Sequence, residues 1–369
     1  SGKRVLNPSD DPVAAVQILD ITEDLKLVDQ YSRNGDLAEG QLALEESTLA
    51  EVGNVLQRVR ELVVQANNAT QTPETRNSIA TEIEARLDEL EALGNTRDGN
   101  GEYIFAGFQS AVEPFSRQAN NFSYNGDDGQ RFLQLGSSSQ VSVRDSGFDV
   151  FMSIPSGNGT FDVEPDASNA GTGVVGATAV DGSFITDDYT LSFIQATPSD
   201  PITYQVMDST PAVIAGGTYE SGDTISFAGA SLKFDGLPAD GDSFDVTPSV
   251  KQDMFTSIQM IANDLKNSGA LPAETAAVNN GMAQALNNLD QALGHVLEVR
   301  SDVGVRLSQV DNQRSINDSF TLQLQDTLSD IQDVDYAEAI SRLNLQLTAL
   351  QAAQQTYVKV QGLSLFNYL

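Results

Sequence analysis

The chain has 369 residues and a formal charge of −32, from 52 acidic against 20 basic side chains. That excess of carboxylate argues against nucleic acid and against anionic membrane surfaces as partners, since either would be approached against its own charge. Cysteine is absent, which excludes disulfide and thiolate chemistry, and no apolar run approaches the roughly 18 residues a membrane-spanning helix needs.

The length allows two or three domains. No apolar stretch follows Ser1-Gly-Lys-Arg4, so no cleavable secretory signal is expected within the numbered chain. Asn7-Pro-Ser-Asp-Asp-Pro12 reads as a turn that opens a helix, with Asp11 as N-cap and Pro12 at the first helical position. Helical sequence follows through Val13, Val16, Leu19 and Leu25 and weakens at Gly35 and Gly40. It then firms: Leu42, Leu49, Val52, Leu56, Val59, Val63 and Ala66 recur at steps of seven, three and four, the narrow stripe of a coiled-coil seam.

Thr72-Pro-Glu74 announces a second helix carrying Ile79, Ile83, Leu87, Leu90 and Leu93, stopped at Gly94-Asn95. Glu102–Gly107 and Gln130–Leu135 then read as short strands around Asn125-Gly126, a hairpin signal. Residues 101–250 hold four bases, Arg117, Arg131, Arg144 and Lys233, against 20 acids. With strand-like pieces at 189–194, 202–206 and 243–247, residues 141–249 predict an inserted all-β domain with an acidic, solvated surface.

Helix returns near Ser249-Val-Lys251, with Met254, Ile258, Ile261 and Leu265 on one face, stops at Asn267-Ser-Gly269 and restarts at Pro272. From there Met282, Leu286, Leu289, Leu293, Val296, Val303, Leu307 and Val310 keep the rhythm of a second seam. The predicted helix seam is therefore Leu49, Val52, Leu56, Val59 and Val63 against Leu286, Leu289, Leu293, Val303 and Leu307. Asp330, Asp333 and Asp335 mark a joint, after which Ile340, Leu343, Leu347, Leu350 and Tyr357 resume the stripe; the apolar ending Leu363, Leu365, Phe366 completes an expected assembly interface. The fold class expected is α+β: a long antiparallel helical coiled-coil bundle formed by both chain ends, with a β-hairpin region and an inserted all-β domain at the far end from the termini. The domains expected are 1–140 plus 250–328 as helical core, 141–249 as insertion, and 329–369 as a C-terminal helix that is disordered alone or docked on assembly.

No catalytic, cofactor or metal residues are assigned. Gly171-Thr-Gly-Val-Val-Gly176 matches GxGxxG but follows Glu164-Pro-Asp166 rather than a buried strand. Asp240-Gly-Asp242 with Asp245 misses EF-hand spacing. His295 lies within the seam with no nucleophile near it in sequence.

The stretch Leu56–Asn67 resembles the first long helix of bacterial flagellins. More specifically, Asn7–Ala15, Glu102–Phe108, Leu237–Phe244 and the ending Ser364-Leu-Phe-Asn-Tyr-Leu369 look like the hook-associated protein 3 branch of that family, at the hook–filament junction. A filament-forming flagellin would more usually continue Asp-Asp with Ala-Ala-Gly. The resemblance covers residues 1–125 and 250–369 and implies a further N-terminal helix before the position of Ser1, hence an N-terminally truncated chain. It also implies a ring of copies joining hook to filament, with hook-associated protein 1 and flagellin as neighbours. Export by the flagellar type III apparatus to the outside of the cell and a chaperone on the C-terminal helix are further expectations, with neither enzyme activity nor cofactor. The alternatives are a filament-forming flagellin, a calcium- or glycan-binding adhesin carried by 141–249, and, last, a hydrolase for which no nucleophile and base can be named.

Overall fold

A computed structural model of the protein describes residues 2–5, 7–68, 70–118 and 121–362. The five α-helices among them are α1 (Pro12–Ala66), α2 (Pro73–Gly94), α3 (Met254–Lys266), α4 (Pro272–Gln332) and α5 (Tyr336–Gly362). Their starts follow from local chemistry. The Asp11 carboxylate accepts the Ala14 N–H at 3.1 Å ahead of Pro12. Thr72 and Thr75 cap each other reciprocally before α2, and Asp253 accepts the Thr256 N–H at 2.6 Å to open α3. α1 runs unbroken through Gly35 and Gly40, where an added Cβ would meet nothing within 4 Å. Those glycines lower helix propensity, but a 55-residue helix absorbs about 1 kcal/mol at each.

The chain packs as two units. One comprises residues 1–35, 134–139 and 311–369, the other 36–133 and 140–310. In the first, Lys3 bridges antiparallel to Asp333, the Arg4 N–H donates to the Gln332 carbonyl at 2.6 Å and the Val334 N–H to the Gly2 carbonyl at 3.0 Å. The joint between α4 and α5 is thus tied to the first described residues. Asp335 then caps α5, accepting the Ala337 N–H at 2.8 Å.

The second unit holds the seam. On α1, Ala38, Leu42, Leu49, Val52, Leu56, Val59, Val63 and Ala66 are buried; on α4 the buried line is Met282, Leu289, Val296, Val303 and Val310, one residue every seven, with Ala285 and Ala292 beside it. The helices run antiparallel: Glu46 of α1 accepts from Arg300 of α4 at 2.7 Å, and Arg60, further along α1, pairs at 2.6 Å with Asp290, earlier in α4. α2 lies against α3, with Lys266 reaching Glu84 at 2.6 Å.

Between the helices come fourteen described strands. Hairpin β1 (Phe115–Gln118)–β2 (Asn121–Tyr124) is followed by β3 (Phe132–Gln134), β4 (Gln140–Ser142) and β5 (Ile154–Pro155), the last pairing with β14 (Lys251–Gln252). The predicted strand at Glu102–Gly107 is instead a turn-rich segment, and Asn125-Gly126 lies beyond the hairpin rather than at its tip. The reason is a buried cation. Arg144, 3% exposed, reaches Asp98 at 2.6 Å, Glu102 at 3.3 Å and the Tyr103 carbonyl at 3.3 Å, so residues 98–103 fold around a guanidinium instead of pairing as a ladder. Phe105 beyond them packs edge-on to Phe151.

The remaining strands form a sandwich: β6 (Phe161–Pro165), β7 (Val174–Val180), β8 (Tyr189–Ile194), β9 (Thr203–Met207), β10 (Val213–Thr218), β11 (Thr224–Phe227), β12 (Ala230–Asp235) and β13 (Ser243–Pro248). One antiparallel sheet has the order β10-β9-β8-β13-β6 and the other β11-β12-β7. Alternate residues turn inward, Tyr189, Leu191 and Phe193 on β8 meeting Leu232 and Phe234 on β12 and Phe244 and Val246 on β13. Phe193 is edge-on to Tyr219, Phe234 and Phe244. Many of the insertion's acids make turns: Asp166, Asp181 and Asp208 accept from Ser168, Ser183 and Thr210, each two residues on.

A row of amides fastens the sandwich to α4. Asn280, Gln284 and Asn288, at four-residue spacing on one helix face, bond Val175 and Gly173, Asp162, and the Gly157 N–H respectively. α4 thus presents one face to α1 and another to the β-sheets.

Candidate assembly interface

α5 is 27 residues long and, apart from half-buried Ala339, exposed from Tyr336 to Gln361. Ile340, Leu343, Leu347, Leu350 and Tyr357 follow steps of three, four, three and seven, so they share one face, with exposures from 48% to 65%. Leu345, Val358 and Val360 are exposed off that stripe. Leu363, Leu365 and Phe366 lie outside the described residues. What holds α5 locally is modest: the Asp335 cap, the exposed Arg342–Glu338 pair at 2.7 Å, and Thr348 and Thr356 hydroxyls donating to carbonyls four residues back. A helix with no buried face is marginal in water. Burying each large apolar side chain would contribute about 1.5–3 kcal/mol.

The rest of the same unit repeats this surface. Val13, Val16, Leu19 and Leu27 of α1 and Ile316, Phe320 and Leu322 of α4 are exposed, while Val5, Ala14 and Val28 are buried. Asn317, buried, donates to the Leu135 carbonyl at 2.9 Å, fixing residues 134–139 to α4.

The seam residues named from sequence sit as follows. Leu49, Val52, Leu56, Val59, Val63, Leu289 and Val303 are buried; Leu286, Leu293 and Leu307 are half-buried, flanking the seven-residue line. Met282, Val296 and Val310 complete that line, whose spacing of seven with Leu289 and Val303 is the signal that separates it from the flanking leucines.

Other groups with chemical potential are taken up structurally. Asp240 accepts the Gln195 N–H, Asp242 the N–H groups of Ala170, Gly171 and Ala239, and Asp245 the Thr190 hydroxyl. The 171–176 glycines run into strand β7, not a helix, and a Cβ at Gly171 would lie 2.2 Å from the Ala239 nitrogen. His295 Nε2 sits 2.7 Å from the Asp149 carbonyl. Burial raises the Asp149 carboxyl above its ordinary range, with Asp128 and Asp145 adding and His295 opposing. Among the described residues no group of three or more acidic or histidine side chains is placed to hold a metal, and no helix is long and apolar enough to cross a membrane.

Comparison with known proteins fits this arrangement. Residues 1–110 match the bacterial flagellin N-terminal helical region and residues 286–369 the bacterial flagellin C-terminal helical region. Flagellar hook-associated protein 3 of Escherichia coli is 29% identical over 367 residues, covering 100% of this chain and 89% of that protein. The crystal structure of the flagellar junction protein FlgL from Legionella pneumophila superposes with a TM-score of 0.78 at 32% identity, over 87% of this chain and 100% of that one. Escherichia coli flagellin, by contrast, is 34% identical over 106 residues only, 29% of this chain and 21% of that protein. With likeness to hook-associated protein 3 running through the insertion and likeness to flagellin confined to part of the chain, the protein belongs to the flagellar hook-associated protein 3 family, flagellin-related structural components of the hook–filament junction in the bacterial flagellum.

Proposed function

We propose that the chain is an adaptor without catalysis, assembling as a ring of copies that joins the hook, through hook-associated protein 1, to the flagellin filament. It acts outside the cell after export by the flagellar type III apparatus, and before export its C-terminal helix is held in a chaperone groove. The observation that carries this reading is the unburied stripe Ile340, Leu343, Leu347, Leu350 and Tyr357 on α5. A face that contributes nothing to the single chain is available to neighbouring copies in the ring, and the apolar Leu363, Leu365 and Phe366 follow it in sequence. In this reading residues 329–369 dock on assembly, 1–140 with 250–328 form the helical core, and 141–249 is an acidic outer spacer.

The test is Leu347→Asp with Leu350→Asp in a bacterium lacking its own copy. Loss of chaperone capture and shedding of filaments from intact hooks is expected. Motility with full-length attached filaments would overturn the reading.

A further inference from the structure

The buried stripe of α1 contains one residue its chemistry does not suit. Between Leu42 and Leu49 the alternation of four and three passes through Glu45, which is 1% exposed and shares the stripe with Leu49, Val52 and Leu56. Its Oε1 accepts the Asp145 N–H at 2.9 Å, while Oε2 is buried without a hydrogen-bond partner. An isolated carboxylate there is costly, and an orphaned acceptor adds to the cost.

The charged groups around it come from three directions. Residues 144–145 bring Arg144 and Asp145, α4 brings Arg306 with Asp302 one turn before it, and α1 brings the adjacent Glu46. The ion pairs of these groups exclude Glu45. Arg144 is occupied by Asp98 and Glu102, Glu46 by Arg300, and Arg306 bonds the Asp145 carboxylate and the Asp302 carbonyl. Arg306 Nη1 and Arg144 Nε are buried donors without partners, as Glu45 Oε2 and Glu46 Oε2 are buried acceptors without partners. Glu45 and Asp145 therefore both stand by the Arg306 guanidinium, which bonds only Asp145 of the two.

We propose that Glu45, Asp145 and Arg306 form a proton-operated lock in the α1–α4 seam. With Glu45 protonated, Arg306 serves Asp145 alone and no second negative charge faces the Asp145 carboxylate. When Glu45 ionises, a second carboxylate faces Asp145, competes for Arg306 and loosens the segment that also carries Arg144. Burial, then the Asp145 charge, push the Glu45 carboxyl up to about 8 from an ordinary 4.5, against the Asp145 N–H, Arg306 and Arg144. In the unfolded chain Glu45 ionises at its ordinary value, so folding between those limits takes up a proton. The stability this group contributes is full below 4.5, falls as pH rises, and levels off above about 8.

The full chain and its Glu45→Gln variant, which keeps the shape and removes the titration, decide the matter. The melting temperatures should coincide near pH 5 and diverge towards pH 8, the variant melting higher, with the gap constant beyond. In the wild-type chain the Glu45 side-chain carboxyl carbon should titrate well above the ordinary carboxylate range by NMR, and Asp145→Asn should lower that midpoint. Parallel melting curves across the range, or a Glu45 midpoint at its ordinary value, would overturn the lock. The wild-type titration decides even if Glu45→Gln does not fold.

Discussion

Asn280 completes the edge of strand β7 at Val175. Its Oδ1 accepts the Val175 N–H at 2.8 Å while its Nδ2 donates to the Gly173 carbonyl at 3.0 Å, so one helix side chain stands in for the peptide of a neighbouring strand. At the start of β7, two backbone groups that a sheet edge would otherwise leave open are thus paired from α4.

Replacing Asn280 with Ala strips a buried donor and a buried acceptor of their partners, at about 1–3 kcal/mol for each buried group left unsatisfied. Asn280→Asp keeps the acceptor for Val175 but sets a carboxylate against the Gly173 carbonyl. Both variants should unfold at lower denaturant concentration, with Asp the worse of the two. A midpoint unchanged in either would show that the bond to β7 is not what closes that edge.

The seam makes a graded prediction. Leu56 is fully buried whereas Leu293 is half-buried beside the line of Leu289 and Val296. Leu56→Ala should cost about 2–5 kcal/mol, as a core truncation does, and Leu293→Ala distinctly less. Equal losses by chemical denaturation would mean that α4 turns a different face to α1.

Much of this was legible in the residues. Alternating steps of three and four give both long helices, Asp11-Pro12 and Thr72-Pro73 give the caps of α1 and α2, and the aspartates at 330–335 give the joint, because each signal is local and spans one or two turns. The α5 stripe is readable for the same reason, although spacing says nothing of whether a stripe is covered. What escaped depends on residues far apart in sequence. Glu45 looks like a gap in the apolar stripe, since what it meets is Asp145, a hundred positions on. Asn280, Gln284 and Asn288 look like a solvated face until the sandwich is folded against them. Glu102–Gly107 alternates like a strand, but Arg144 claims its carboxylate and carbonyl first.

That arginine sets an acid limit. Burial acts to raise Asp98, but the N–H groups of Glu102 and Asn100 and the Arg144 charge outweigh it and hold its carboxyl below the ordinary 3.8. A carboxyl depressed on folding contributes stability above its ordinary value and loses it as pH falls through the folded value. Arg144→Met leaves the Asp98 carboxylate buried and unpaired and should destabilise the protein at neutral pH by about 3–5 kcal/mol. The loss should shrink towards pH 3, as Asp98 is neutralised. A loss of the same size at both ends of that range, followed by thermal unfolding, would show that Arg144 acts by packing alone.

Hydrogen exchange separates the two kinds of helix in one measurement. Residues 49–66 of α1 bury an apolar side chain at every turn, so their amides open only when the second unit does. α5, with its stripe exposed and only Asp335 and short-range bonds to hold it, opens at a small fraction of that cost. In the isolated chain, amides of 340–361 should exchange orders of magnitude faster than those of 49–63. On assembly with further copies their protection should rise, while that of α1 is already at its limit. Strong protection of α5 in the single chain would mean that its stripe is covered there, and Leu347 and Leu350 would then belong to the protein's own core rather than to the proposed ring.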